Sequence, residues 1–67
     1  MISIYVNGKE ESVEKDVSVT ELLARYGLAD RRVAVELNHE IVPRSRHADT
    51  RVNDGDRIEI VHAIGGG

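Results

Sequence analysis

The stretch ISIYVNGKEESV, residues 2–13, decides how the chain begins to fold. Ile2, Ile4 and Val6 alternate with Ser3 and Tyr5, the two-residue period of a strand with one apolar face. Asn7-Gly8 follows at once, and this pair supplies the two positive-φ positions of a type I′ hairpin turn. A second, shorter strand is therefore expected to run back from about Lys9 to Val13. The apolar face of that hairpin needs a cover.

The next segment, VSVTELLARYGL (residues 17–28), supplies one. Ser18 is placed to cap a helix, and Glu21 three positions later completes a capping box. Val17, just before the cap, is placed to pack on Leu22. Val19, Leu22, Leu23 and Tyr26 recur at i, i+3, i+4, i+7 and form one apolar face. Gly27 suits the left-handed position after the helix, with Leu28 folding back on the last turn in a Schellman arrangement.

Beyond the polar link ADRR, VAVELN alternates again, with Val33, Val35 and Leu37 on one side. Asn38, His39 and Glu40 read as a turn, and IVP as a short strand stopped or pushed to an edge by Pro43. Arg44 to Arg51 loses any period and reads as a polar, basic loop with room for one helical turn. NDGD is a turn signal, and RIEIVHAI is the last strand, with Ile58 and Ile60 inward. The order strand, strand, helix, strand, short strand, strand predicts an α+β domain. Its single helix packs across one face of the sheet, and the other face stays largely solvated. The expected core is Ile2, Ile4, Val6, Val17, Leu22, Leu23, Tyr26, Val33, Val35, Leu37, Ile58 and Ile60. Glu59, Val61 and Ala63 then alternate onto the open face, where Val61, Ala63 and the following Ile64 are candidate docking contacts.

Composition narrows the chemistry. A chain of 67 residues, 40% hydrophobic and 31% charged, is one small globular domain near the lower limit for a single core. Such a core typically supplies only about 3–5 kcal/mol. The net charge of −3 argues against nucleic acid as a partner, since phosphate binding needs a basic face. With zero cysteines, disulfides, thiolate nucleophiles, Fe–S clusters and cysteine-containing zinc sites are excluded. His39, His47 and His62 lack the tight spacing of metal ligands, so no metal site is expected. No apolar run approaches the ~20 residues that span a bilayer, and no charged-then-apolar leader is visible; the cytoplasm is the expected location.

An enzyme finds little support. No nucleophile sits in a recognisable context, and no Gly-rich loop joins a strand to a helix. Asp54 with Asp56, and Glu10 with Glu11, fit turn and surface roles better than acid–base couples. Arg44, Arg46 and Arg51, with Arg31 and Arg32, could dock an acidic partner or simply keep an edge soluble.

The feature left over is the ending, HAIGGG (residues 62–67). Glycine adds no apolar surface and loses most conformational freedom on ordering, so Gly65, Gly66 and Gly67 are not there for stability. They read as a flexible tail whose chemistry needs no side chain. An ionised α-carboxylate, pKa about 3.3–3.7, is a poor electrophile until another enzyme adenylates it; sulfur or an amine could then be loaded. Three glycines extend roughly 10 Å, enough to enter a narrow channel. The other reading is a frayed terminus.

VNG at the first hairpin, VTELL in the helix, VAVELN…IVPR, and DGDRIEIVHAIGGG together resemble the ThiS-type sulfur carriers of thiamine biosynthesis. These are ubiquitin-like β-grasp proteins, and the resemblance covers essentially the whole chain. It implies a mixed sheet of about four to five strands with the first and last parallel at its centre. It implies residues 1–67 as a single β-grasp domain with 65–67 as its tail, monomeric when free. The family's essential di-glycine matches Gly66 and Gly67, and Gly65 extends it. An E1-like adenylyltransferase (ThiF type) would use ATP to adenylate the Gly67 carboxylate. Sulfur originating in cysteine, through a cysteine desulfurase, would convert it to a thiocarboxylate. A thiazole synthase (ThiG type) would take that sulfur. The chain itself would be a carrier with no bound cofactor, a co-substrate rather than an enzyme. A molybdopterin-synthase small subunit, a ubiquitin-like protein modifier and an inert β-grasp interaction module are the rival readings.

Overall fold

In the computed structural model, residues 1–62 are described. They form strands β1 (Ile2–Val6) and β2 (Lys9–Val13), helix α1 (Val19–Arg25), and strands β3 (Val33–Leu37), β4 (Glu40–Val42) and β5 (Arg57–His62). A 3-10 turn, Arg44–Arg46, follows β4, the helical turn for which the basic loop had room. The five strands make one sheet in the order β2-β1-β5-β3-β4. β1 and β5 run parallel at the centre, while the β1–β2, β3–β4 and β3–β5 pairs are antiparallel. This mixed sheet with its covering helix is the ubiquitin-like β-grasp fold.

Local chemistry explains each element. Asn7 and Gly8 take φ of 52° and 83° in a two-residue loop between paired Val6 and Lys9, the type I′ geometry expected of Asn-Gly. β2 is as long as β1, five residues each. The helix starts on a complete capping box: Glu21 N–H donates to the Ser18 hydroxyl at 3.0 Å, and Ser18 N–H donates to the Glu21 carboxylate at 2.9 Å. It ends in the Schellman pattern, with Leu28 N–H on the Leu23 carbonyl at 2.8 Å and Gly27 N–H on that of Ala24 at 3.0 Å. Gly27 has φ of 71°, a conformation a side chain would disfavour. A helix of seven residues is too short to stand alone, so its stability comes from the buried Val19, Leu22 and Leu23.

The second hairpin departs from expectation at one residue. Asn38 and His39 alone make the turn, with φ of 51° and 71°, while Glu40 belongs to β4 and pairs with Leu37. A two-residue I′ loop needs no third member.

The core is aliphatic throughout. Ile4, Val6, Val13, Val17, Val19, Leu22, Leu23, Val35, Val52, Ile58 and Ile60 form one buried cluster, with Ile2, Leu28, Val33 and Leu37 packed at its margin. Tyr26, expected inside, is 40% exposed. It occupies the C-cap position, where φ of −92° and ψ of 7° swing it off the helical stripe, and Leu28 turns back onto the cluster instead. Val13, Val19, Val42 and Val52 join the buried set although the expected core omitted them. Val52 is held because residues 50–52 run against the helix entrance: Val19 N–H donates to the Thr50 carbonyl and Val52 N–H to the Val17 carbonyl, each at 2.9 Å.

Candidate functional site

β5 is the axis of the site, since it lies between β1 and β3 and leads toward the glycines. Two turn asparagines fix it. At its start, Arg57 N–H donates to the Asn38 side-chain oxygen at 2.9 Å, and the Asn38 amide nitrogen donates to Asp56 at 3.0 Å. Further along, the Asn7 side-chain oxygen accepts Ile60 N–H at 2.8 Å and its nitrogen donates to the Ile60 carbonyl at 3.2 Å. The Asn7 side chain thus extends the β1–β5 ladder past the point where the β1 backbone has turned away. On the other side β3 pairs with β5 as far as Val33 opposite His62. The expected tail residues Gly65, Gly66 and Gly67, and the docking candidates Ala63 and Ile64, lie outside the described residues.

The third docking candidate is on view. Val61 is 57% exposed on the face away from the helix, directly opposite Ala34 of β3. Ile41 of β4, 73% exposed, shares that face; it stands opposite Glu36, one diagonal step from Ala34. Val61, Ala34 and Ile41 therefore form an apolar diagonal, and sequence reasoning had found only its first member. The alternation of VAVEL and EIV carries the other two, because Val33, Val35 and Val42 point inward. Glu36 sits directly opposite Glu59, a like-charge pair that is unfavourable in isolation. At the far end of this face the Arg57 guanidinium lies 4.9 Å from the centre of the Tyr5 ring.

On the helix side, Val6, Leu28 and Ile60 floor a groove of about 420 Å3 beside the end of β5, rimmed by Lys9, Glu11, Tyr26 and His62. The Tyr26 phenol is held above its usual pKa chiefly by desolvation, then by nearby Glu11, with Arg25 opposing. It stays protonated over any ordinary pH range.

Several of the remaining polar groups have structural employment. Asp54 accepts Ser3 N–H at 2.8 Å, and Asp56 accepts Asn53 N–H at 2.7 Å, so this pair holds a turn, as expected. Glu10 accepts the Ser3 hydroxyl at 2.7 Å. The histidines stay apart: His39 sits in a turn, His62 on β5, and His47 is buried with Nε2 3.0 Å from the Val42 carbonyl. Among the described residues no cluster of His, Asp and Glu could hold a metal ion, and no helix is long and apolar enough to cross a membrane. The site is a pinned strand flanked by an apolar patch and a groove. Its chemistry suits presentation of whatever follows residue 62 to another molecule.

Comparison with known proteins agrees in sequence and in structure. The model of the ThiS family matches residues 2–67. The sulfur carrier protein ThiS of Bacillus subtilis (strain 168) is 42% identical over 65 residues, covering 96% of this chain and 98% of that one. A thiazole synthase of Paramagnetospirillum magneticum is 47% identical over 66 residues; they cover 98% of this chain but 20% of that protein. The crystal structure of the thiamine biosynthesis protein ThiS from Geobacter metallireducens superposes with a TM-score of 0.86 at 39% identity, covering 98% of this chain and 100% of that one. By sequence along nearly its whole length and by fold, the chain belongs to the ThiS family.

Proposed function

We propose that the chain carries sulfur for thiamine biosynthesis as a thiocarboxylate on Gly67. The observation that carries this reading is the end-to-end match to the Bacillus sulfur carrier, on a fold whose central strand leads into Gly65, Gly66 and Gly67. The Gly67 carboxylate attacks the α-phosphorus of ATP held by an E1-like adenylyltransferase of ThiF type, and pyrophosphate leaves. The acyl adenylate now has a good leaving group. A desulfurase supplies cysteine sulfur as a persulfide, whose terminal sulfur attacks the acyl carbon as AMP departs. A thiol then reduces the resulting acyl disulfide, forming a disulfide with the carrier of the persulfide and leaving a thiocarboxylate on Gly67. A thiazole synthase then receives the sulfur; two relatives named thiazole synthase, at 47% and 36% identity, support this destination.

Each part of the chain has a place in this sequence of steps. The folded body supplies no reacting group; it docks and aims the tail. Glycine suits an arm that threads a narrow channel, because it lacks a side chain to obstruct entry. Val61, with Ala34 and Ile41, provides the apolar contact outside the channel, and Ala63 and Ile64 are proposed as further docking contacts on their sequence alone.

Intact-mass measurement after incubation with ATP, the adenylyltransferase and a sulfur source tests the proposal. One oxygen is replaced by sulfur at the C-terminus, and removal of Gly66 and Gly67 abolishes the change while leaving thermal stability nearly unaltered. An unmodified chain in the presence of a competent partner would falsify carrier function. Thiazole formation, rather than molybdopterin formation, in a reconstituted assay separates this reading from its sulfur-carrying rival.

A further inference from the structure

Two of the arginines for which the sequence offers either an acidic partner or mere solubility meet in space. Arg31, just ahead of β3, and Arg44, the first residue of the 3-10 turn, line one notch of about 170 Å3. Leu23 and Val33 contribute its apolar surface, with Thr20 and His47 beside them. The notch is preformed. His47 is 7% exposed and its Nε2–H donates to the Val42 carbonyl at 3.0 Å, while its own carbonyl accepts Thr20 N–H at 3.2 Å. Those two bonds tie the turn bearing Arg44 to β4 and to the start of α1.

We infer that this notch receives a carboxylate side chain, Glu or Asp, from the adenylating enzyme, an inference that rests on the carrier function proposed above. Three observations point to that occupant. Among the described residues neither Arg31 nor Arg44 has a side-chain hydrogen bond or ion pair, whereas Arg25 and Arg51 are paired with Glu14 and Glu21. Two open guanidiniums around one notch, on a chain of net charge −3, call for an anion, and planar guanidinium matches carboxylate in a bidentate fork. The notch is the size of a side chain rather than a nucleotide, and Leu23 and Val33 offer apolar surface to the methylene stem of an acidic residue. Its position completes the case: Val33 stands opposite His62, the last residue of β5. An enzyme that takes in the residues after His62 therefore lies against this same end of the sheet.

The test compares the unaltered chain with Arg31→Glu/Arg44→Glu as substrates of the adenylyltransferase, followed by ATP–pyrophosphate exchange. Charge reversal at two exposed sites raises KM for the carrier roughly tenfold while leaving kcat within about twofold. Arg31→Lys/Arg44→Lys falls between the two, because lysine keeps the charge but not the fork. High salt narrows the gap, as for any solvent-edge ion pair. Arg31→Gln/Arg44→Gln keeps the fold question separate and supplies the comparison if circular dichroism shows the reversed variant unfolded. A KM unchanged by charge reversal, or a gap insensitive to salt, overturns the notch while leaving carrier function intact. No exchange with the unaltered chain overturns the carrier reading and the notch with it.

Discussion

Asn7 shows how one residue serves both the local chain and a distant strand. Its φ of 52° belongs to the turn, and asparagine tolerates that conformation better than most side chains. Its amide meanwhile makes two bonds to Ile60, across 53 positions of sequence. Two substitutions separate these jobs. Asn7→Gly keeps the turn and loses the bonds, at a cost of about 1–2 kcal/mol; Asn7→Ala adds left-handed strain of roughly 1–2 kcal/mol more. Urea midpoints at constant m-value read both, and equal losses would reduce Asn7 to a turn former. The Asn-Gly signal made the turn legible in the sequence. Nothing local announced Ile60, because that partner exists only once β5 has come to lie beside β1. Asn38 likewise accepts Arg57 N–H, so the two turn asparagines hold the same strand at its first residue and at Ile60.

At the scale of elements, helix α1 was legible at both ends because its caps are written within a few residues of each terminus. Ser18 is buried, and its hydroxyl and N–H both engage Glu21; Ser18→Ala should cost about 1 kcal/mol. The Glu21 carboxylate is held below its usual pKa by the Ser18 N–H bond first and the Ser18 hydroxyl second; desolvation opposes, and Arg51 adds a smaller attraction. A carboxylate whose folded pKa is depressed contributes stability that is full above its unfolded pKa. That contribution disappears as pH falls through the folded value. The difference in urea midpoint between the unaltered chain and Glu21→Gln is therefore expected to be flat near neutrality and to shrink on acidification below the ordinary glutamate range. A difference independent of pH would remove the charge from the cap. β4 was less legible than α1. Asn38-His39 lacks the glycine that marks a two-residue turn, so Glu40 read as a turn residue although its backbone pairs with Leu37.

For the whole molecule, the sheet divides the apolar residues into two populations with different duties. Ile58 and Val61 are three positions apart on β5, one 1% and the other 57% exposed. Ile58→Ala should remove about 2–5 kcal/mol, a large share of what so small a core supplies, and melt much of the population at 37 °C. Val61→Asp should change stability by no more than about 0.5 kcal/mol while weakening binding to the adenylyltransferase; unchanged affinity would take Val61 out of the interface. Calorimetry and a binding isotherm on the two variants decide both points. The inward set was legible wherever strands alternate, yet Val52 was not, because it stands alone in a polar stretch and is buried only where residues 50–52 meet the helix entrance. Nor could local pattern place β5 between β1 and β3; that order came from likeness to a family, not from periodicity. The order has a mechanical side. β5 is flanked by hydrogen-bonded neighbours on both edges and runs parallel to β1. A tug applied beyond His62 is therefore directed along the strand and loads those bonds together in shear, rather than peeling them apart one by one. A partner could grip and release the end of this chain repeatedly while the body resists being drawn in after it.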